Sequence, residues 1–223
     1  MRDRRAKSET KDSKAESAAL EKVGARRQIL DAAAHLLSRR GYEATTTRAI
    51  ATAVGIKGGS IYHHFPSKDA IVGEVVNEGV RVVHDAVVAA LAALPARAAA
   101  RQRLETAIKT HLLASLEHSD YTSACIRTYA FLPASVQAEC RAERRRYEKL
   151  WRDLVAELFA AGLIDEKLSP DSVRLMLLGA LNWAGEWYRP GGMSIDEIAR
   201  DFAGCVAGPD PARRKPRAKA AAD

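Results

Sequence analysis

The segment TTTRAIATAVGIKGGSIYHHFPSKDA, residues 45–70, holds the pattern on which every prediction of the fold depends. Thr46 is a good N-cap for a short helix over residues 47–54, because its hydroxyl can accept a hydrogen bond from a free amide of the first turn. Gly55 can then take the positive φ that reverses the chain at no steric cost. A second short helix is predicted over residues 57–65, since a proline follows. Two short helices joined by a tight glycine-centred turn form a helix-turn-helix.

The second helix of this pair begins with two glycines, Gly58 and Gly59. Each costs roughly 1 kcal/mol of helix stability relative to alanine. Their presence therefore favours a functional reason, such as close approach of the bare backbone to a phosphate group. Ile61 and Phe65 are four residues apart and would anchor the helix inward. The side chains then left to face a DNA groove are those of Ser60, Tyr62, His63 and His64.

Two other interpretations of this helix compete with the first. Tyr62 can be a core aromatic residue, and the adjacent His63 and His64 can be metal ligands. Neighbouring residues on a helix point about 100° apart, and no nearby carboxylate or cysteine completes a ligand set. We therefore predict no metal site and leave Tyr62 open between core and groove.

Helical patterns continue on both sides of this segment. A first helix is predicted over about residues 21–40, with Gly41 as its stop. Ser67 can cap a long helix over about residues 68–94, before Pro95. Further helices are predicted at about residues 97–118, 121–131, 134–161, 170–188 and 194–206. The chain is expected to be all-α, with about nine helices.

The composition agrees with a helical, water-soluble protein. Of its 223 residues 47 % are hydrophobic, and no stretch shows the alternation of a convincing strand. No apolar run reaches the roughly 18 to 20 residues that span a bilayer, and the charged N-terminus lacks the apolar core of a signal peptide. We expect a cytoplasmic protein that makes no contact with membranes. The net charge of +7 is concentrated at the ends, and residues 1–20 and 208–223 are predicted to be disordered basic tails.

The run ILDAAAHLLSRRGYEATTTRAIATAVGIKGGSIYHHFPSKDAIVGEVV, residues 29–76, closely resembles the DNA-binding segment of the TetR (TetR/AcrR) family of bacterial transcriptional regulators. Its most specific parts are RGYEATTTRAIA and GGSIYHHFPSKDA. The resemblance implies an all-α homodimer whose subunits each have a three-helix DNA-binding head and a larger helical ligand-binding body. It also implies a repressor that a small apolar molecule releases from DNA.

The matched motif assigns expected DNA contacts to individual residues. Thr46 and Thr47 correspond to phosphate-contacting positions, and Arg48 to a position that reaches a phosphate or a base edge. His64 and Lys68 correspond to further phosphate contacts. The recognition helix would carry the remaining contacts, at Lys57, Gly58, Gly59, Ser60, Tyr62 and His63.

Two residues depart from the family pattern. Lys57 stands where the family often has a serine as helix cap, so the cap is weaker and a cation is gained. Ala49 replaces a frequent acidic residue that could complete a capping box with Thr46.

The resemblance also implies a domain organisation, with a DNA-binding head over residues 21–68 and a ligand-binding and dimerisation body over residues 69–207. A homodimer would hold two heads at a fixed spacing on a palindromic, double-stranded operator. The predicted helices 170–188 and 194–206 are apolar enough to need cover, which a partner subunit would supply. Small residues such as Gly179, Ala180 and Ala184 would let partner helices approach closely. The alternative is that both helices cover only the core of their own subunit.

The segment NWAGEWYRPGGMSIDEIA, residues 182–199, resembles a stretch found in family members that respond to acyl-CoA thioesters. An effector of that class is our hypothesis, and an aromatic drug-like or metabolite effector without CoA is the alternative. Trp183 and Trp187 lie four apart on one face of a predicted helix. Candidate pocket residues are Trp183, Trp187, Tyr129 and His111, each of which can also be an ordinary core residue. Arg145 could receive the anionic CoA moiety, although a solvated helix face balanced by glutamates is the ordinary interpretation.

Two other classes of function were weighed against a DNA-binding regulator. An enzyme of helical fold is disfavoured, because the sequence contains no recognisable nucleophile turn, zinc-protease motif, phosphate-binding loop or paired carboxylates. A helical adaptor that binds only protein would not explain the glycine-rich recognition helix. We therefore predict no catalytic residues and no cofactor.

Overall fold

A computed structural model describes the backbone of residues 2–116 and 120–208, and the side chains from residue 22 onward within those ranges. All regular structure in the described part of the chain is helical, which confirms the all-α prediction. The α-helices are α1 Arg2–Ala44, α2 Thr47–Val54, α3 Lys68–Ala92, α4 Ala100–Leu116, α5 Asp120–Thr128, α6 Ala134–Ala160, α7 Pro170–Asn182, α8 Ala184–Trp187 and α9 Ile195–Ala207. Two 3₁₀ helices cover Gly58–His63 and Tyr129–Phe131. None of the helices so described has the length and hydrophobicity to cross a bilayer.

The chain divides into two compact units. The first comprises Met1–Gly79 and Asp120–Arg141, and the second Val80–Ser119 and Ala142–Asp223. The first unit thus takes in more of the chain than the predicted head of residues 21–68. The bounds of the DNA-binding head itself stay a prediction.

The first helix differs from its predicted extent at its N-terminal end. It begins at Arg2 instead of near residue 21, because residues 2–20 contain neither glycine nor proline and are rich in good helix formers. Gly41 has a φ of 74° and a ψ of −177°, so the helical conformation is interrupted where the sequence predicts. The disorder of residues 1–20 stays a prediction. The predicted disordered tail at residues 208–223 lies almost entirely outside the described residues.

Within the first unit, helix α5 is bonded to α1 through polar side chains. The Tyr121 hydroxyl donates to Asp31 Oδ1 at 2.7 Å, and the buried Ser38 hydroxyl donates to Asp120 Oδ1 at 2.7 Å. His35 Nδ1 lies 2.9 Å from Asp120 Oδ2. Although burial opposes it, hydrogen bonding to Ser38 and His35 lowers the pKa of Asp120. These contacts join residues more than 80 positions apart in the sequence.

A close backbone approach joins α3 to α5 in the same unit. A Cβ atom at Gly79 would lie only 2.5 Å from the carbonyl oxygen of Tyr121. Since real contacts are never so short, only glycine fits there. Helix α5 is therefore held in the first unit both by side-chain hydrogen bonds to α1 and by close packing against α3.

The second unit is built around an apolar core to which α4, α6, α7 and α9 contribute. Trp151 is its largest fully buried side chain. The last helix is closed at both ends. A capping box joins Ser194 to Glu197 at its start, and Arg101 donates to the carbonyls of Ala203 and Gly208 at its end. These contacts satisfy amide and carbonyl groups that every helix terminus leaves unpaired.

The predicted helix over residues 170–188 is broken in two. Trp183 has a φ of −85° and a ψ of 1°, which ends α7 and begins the four-residue α8. Its amide donates to the carbonyl of Gly179, and its carbonyl accepts from the amide of Glu186. The apolar pattern continues across the break, which is why the sequence alone predicts one continuous helix.

Candidate nucleic-acid interface and buried polar cluster

Helix α2 and the turn after it have the geometry that the sequence predicts. The Thr46 hydroxyl accepts a hydrogen bond from the amide of Ala49 at 3.1 Å. Gly55 lies in the left-handed region, at a φ of 78° and a ψ of 23°. The Thr46 oxygen still carries its own hydrogen, which is free to be donated to a phosphate. The capping box is absent, as expected, because Ala49 has no polar side chain.

The element after the turn is a 3₁₀ helix over Gly58–His63, shorter than the helix predicted over residues 57–65. The Ser60 amide bonds to the carbonyl of Lys57, and the His64 amide to that of Ile61, three residues back in each case. Two glycines at the start and a proline after the end leave too few good helix formers for α-helical turns. The Lys57 side chain makes no capping hydrogen bond, which confirms the weak cap predicted for this helix.

Two apolar side chains fix this short element to the first unit. Ile61 is fully buried and Phe65 nearly so, as predicted. The Arg26 guanidinium lies 4.4 Å above the Phe65 ring and forms an ion pair with Glu74. The cation–π contact and the ion pair hold α1, the 3₁₀ helix and the first turns of α3 together.

The opposite face of the 3₁₀ helix is open to solvent. Tyr62 is 57 % exposed, so it is not a core residue of the described chain, and one of the two interpretations left open by the sequence is removed. Lys57, His63 and both glycines are also exposed, and Ser60 is half-buried. Arg48 is exposed on α2 and Thr47 half-buried beside it. Among the predicted DNA contacts, those on the recognition element therefore share an accessible surface.

Lys68 has a structural partner that the sequence does not reveal. Its ammonium donates to the Tyr42 carbonyl at 2.7 Å and lies 3.8 Å from the centre of the Tyr42 ring. The Tyr42 hydroxyl in turn donates to Asp69 at 2.6 Å. Burial, followed by the hydrogen bond to Asp69, raises the pKa of Tyr42 to about 12, so the phenol stays a donor. A lysine ammonium has three hydrogens, and those not given to the carbonyl can still reach a phosphate.

His64 is less accessible than its neighbour His63. Its side chain is half-buried, and Nδ1 has no hydrogen-bond partner among the described residues. We found no group of three or more His, Cys, Asp or Glu in the described part of the chain that could hold a metal ion.

The structure places the residues predicted for an effector pocket in different local surroundings, and their role in effector binding stays a prediction. Tyr129 belongs to the first unit, where its carbonyl accepts from the Gln137 amide at 3.2 Å. Trp183 is 64 % exposed at the helix break, so it does not share a helical face with Trp187 as predicted. Arg145 is exposed on α6.

The neighbours of Arg145 have acidic partners on the same helix. Arg144 lies 3.9 Å from Glu148, and Arg146 lies 3.9 Å from Glu143. This is the solvated, charge-balanced face that is the ordinary interpretation of the basic stretch.

Trp187 lines a cleft of about 520 Å³ in the second unit. Its ring lies 5.9 Å from that of Phe202, and its indole nitrogen donates to the carbonyl of Ala180 at 3.4 Å. The cleft is apolar and is also lined by Tyr188, Met193 and Cys205.

His111 lies instead in the core of the second unit, where it is 2 % exposed. Its Nδ1 is 2.6 Å from the Tyr147 hydroxyl, and its ring packs near those of Tyr147 and Trp151, at 6.0 and 5.9 Å between centroids. Burial lowers the pKa of His111 to about 4, so the imidazole is neutral at pH 7. Its Nε2 has no hydrogen-bond partner within the described ranges. A buried polar atom left unpaired costs about 1–3 kcal/mol, so we expect a partner outside the described residues.

Sequence reasoning missed the residues around His111. Tyr147 and Trp151 on α6, and Ser115 one turn after His111 on α4, were not singled out. Their spacings of four residues mark a shared helical face. Only the packing of α4 against α6 brings the two faces together.

Comparison with known proteins covers both parts of the chain. Residues 29–75 match the bacterial regulatory proteins of the tetR family, and residues 97–208 match the tetracyclin repressor-like C-terminal domain. The HTH-type transcriptional repressor KstR2 of Rhodococcus jostii (strain RHA1) is 32 % identical over 197 residues, which cover 83 % of this chain and 90 % of the relative.

Two solved structures resemble the fold over most of the chain. AibR in complex with isovaleryl coenzyme A and operator DNA has a TM-score of 0.73 at 25 % identity, covering 83 % of this chain and 100 % of AibR. The superantigen PfiT has a TM-score of 0.71 at 33 % identity, covering 83 % of this chain and 97 % of PfiT.

Replacing Gly58 or Gly59 with alanine is expected to lower the affinity for DNA without lowering the stability of the fold. A Cβ atom at either position meets nothing within 4 Å in the free protein, and neither residue has a positive φ. Each variant should therefore be as stable as the parent or more stable by up to about 1 kcal/mol. Its affinity for operator DNA should nevertheless fall at least about tenfold, or about 1.4 kcal/mol, if the bare backbone approaches a phosphate. Thermal unfolding and fluorescence anisotropy with a labelled duplex measure the two effects.

Gly55→Ala is the matched control. Its φ of 78° would strain an alanine by about 1–2 kcal/mol. Unlike the other two variants, this one should therefore be less stable than the parent. Wild-type DNA affinity in both Gly58→Ala and Gly59→Ala would show that the glycines have no role in DNA approach.

Proposed function

Because the chain belongs to the TetR family of bacterial regulatory proteins, we propose that it is a repressor that binds a palindromic operator as a homodimer and leaves it when an effector binds. The observation that carries this proposal is the exposed 3₁₀ helix Gly58–His63, anchored from behind by Ile61 and Phe65. Such an element presents side chains to a major groove while its register is held by phosphate contacts on either side.

The division of labour within the interface follows from exposure and partners. Tyr62 and His63 are exposed on the recognition element and would contact base edges. Thr46, Thr47 and Lys68 would bind phosphate, the first through its remaining hydroxyl hydrogen and the last through its remaining ammonium hydrogens. Arg48 is exposed and long enough to reach either group. Lys57 and His64 would add phosphate contacts next to the two glycines.

The effector is proposed to be an acyl-CoA thioester. The support is the likeness to AibR, whose complex contains both isovaleryl coenzyme A and operator DNA. The second unit offers the apolar core that an acyl chain requires, and small-molecule sites are mostly apolar with few polar groups.

The dimer surface is proposed to be the exposed apolar side of α7 and the helix break. Leu175, Met176 and Trp183 are each more than half exposed, and Gly179 is exposed between them. An apolar patch of this kind marks an interaction site. The predicted role of Ala184 at this surface is not retained, because it is fully buried in the core of its own unit.

His63→Ala and Lys68→Ala are expected to affect DNA binding differently. Loss of a base contact should change the preferred sequence, by about 1–3 kcal/mol at one base pair. Loss of a phosphate contact should weaken binding to all sequences about equally and reduce the salt dependence. Anisotropy against a panel of single-base operator variants at several salt concentrations tests both.

Tyr42→Phe is the control for the structural part of Lys68. It keeps the ring beneath the ammonium but removes the hydrogen bond to Asp69, so it tests the structural contact between Tyr42 and α3 without removing a cation. The same pattern of affinity loss for His63→Ala and Lys68→Ala would contradict the division between base and phosphate contacts.

Leu175→Glu combined with Met176→Glu is expected to give a folded monomer that binds the operator weakly. Size-exclusion chromatography with light scattering measures the mass, and circular dichroism checks the fold. Val88→Glu places one glutamate, instead of two, at an exposed valine on another helix and should leave the dimer intact. A doubly substituted protein that stays dimeric would show that the dimer surface lies elsewhere.

Selection of bound duplexes from a random pool tests the whole proposal. A palindrome is expected, with affinity that falls steeply as salt rises. The winning duplex is then titrated with thioesters of short, medium, long and fused-ring acyl chains. Release of the protein from DNA by one thioester supports both parts of the proposal. If the protein binds a palindrome but no thioester releases it, the repressor function is supported and effectors without CoA should be tested next. The absence of an enriched palindrome would contradict the function itself.

A further inference from the structure

Two buried polar atoms lie one turn apart on α4 in the second unit, one on His111 in the core and one on the half-buried Ser115. They are His111 Nε2 and Ser115 Oγ, and neither has a hydrogen-bond partner among the residues that the structure describes. Because the residues are four positions apart, their side chains lie on the same face of the helix. Unpaired polar atoms in a core call for an external partner such as a ligand or a bound water.

The contact with Tyr147 determines which hydrogen His111 offers. Its hydroxyl lies 2.6 Å from Nδ1. If His111 Nδ1 carried a hydrogen, it could not accept one, and the buried hydroxyl hydrogen of Tyr147 would lose this acceptor. Donation from Tyr147 to Nδ1 avoids this loss and puts the imidazole hydrogen on Nε2. The unpaired atom of His111 is therefore a donor.

The surroundings favour a neutral acceptor on the ligand. The rings around His111 are those of Tyr147 and Trp151 on α6, with His84 of α3 at 6.2 Å from Tyr147. His84 already has a hydrogen-bond partner in Asp85, whose carboxylate lies 2.8 Å from His84 Nδ1. A carboxylate or phosphate placed against uncharged rings would be buried without a counter-ion, which is strongly unfavourable. A carbonyl oxygen accepts two hydrogen bonds and carries no charge.

We propose that His111 Nε2–H and the Ser115 hydroxyl donate to one carbonyl oxygen of the effector, and that Tyr147 positions His111 for this. The inference rests on the proposed function, since the thioester carbonyl is the acceptor that every acyl-CoA provides. In this arrangement the acyl chain enters the apolar core, and the charged part of CoA stays outside it. Tyr147 is a positioning residue, because it acts through His111.

The test compares a thioester with the thioether that differs only at the carbonyl. Octanoyl-CoA and S-octyl-CoA have equal chain length and the same charged moiety, and calorimetry gives the dissociation constant of each for the full-length protein. We expect the wild-type protein to bind the thioester roughly tenfold more tightly. His111→Phe should bind both equally. Ser115→Ala should lose part of the preference.

Further variants keep the test decisive if His111→Phe folds poorly. Ser115→Ala removes an unpaired buried atom, so its thermal stability without ligand should be unchanged or higher, which a purely structural serine would not show. Tyr147→Phe should reduce the preference for the thioester while the acyl chain still binds. His111→Gln, whose amide can donate from a similar place, should restore part of the preference that His111→Phe loses.

The outcomes separate this inference from the proposed function. Equal binding of thioester and thioether by the wild-type protein would overturn the inference and leave an acyl-CoA effector in place. A preference that persists in both His111→Phe and Ser115→Ala would also overturn it, because the carbonyl would then be bound elsewhere. Binding of neither compound, together with no response to the wider thioester panel, would count against the acyl-CoA effector itself.

Discussion

The surface that we propose faces DNA depends on the burial of Ile61 and Phe65. The 3₁₀ helix between the turn and the proline has six residues, two of them glycine, and such a segment has no stability of its own in water. Two buried side chains fix it to the first unit, and Arg26 covers Phe65 from α1. Everything exposed on the other side, including Tyr62 and His63, takes its position from these anchors. The same arrangement explains why the weak cap at Lys57 is tolerated, since tertiary packing and not local helix stability holds the element.

Two clusters of polar side chains, one between α1 and α5 in the first unit and one on α4 in the second, differ in how fully their members are hydrogen-bonded. In the first, Asp31, Ser38 and Asp120 are matched with hydrogen-bonding partners across α1 and α5. In the second, His111 is matched on one nitrogen only and Ser115 not at all within the described residues. Matched groups specify one arrangement and make it rigid. The unmatched ones lie in the unit in which we propose that the effector binds.

Predictions from the sequence succeeded where the cause is local. Thr46 caps α2 and Gly55 turns the chain because those effects depend on a few neighbouring residues. The 3₁₀ geometry of the recognition element and the break at Trp183 were missed, since apolar spacing does not distinguish a continued helix from an interrupted one. The cluster around His111 was missed for another reason, because it joins helices that are 36 positions apart at the hydrogen bond between His111 and Tyr147. Trp183, which the sequence leaves open between pocket and core, is not a core residue of its own unit, because the helix ends there and leaves the indole exposed.

The separation of anchoring from exposed side chains on the 3₁₀ helix has an evolutionary consequence. Ile61 and Phe65 are required for the fold, whereas Tyr62 and His63 contribute little to it. Substitutions at the exposed positions are therefore nearly neutral for folding. After gene duplication, two copies could acquire different operators by changing those positions alone, without first compensating for lost stability. A head of this kind allows rapid diversification of DNA targets on an unchanged scaffold.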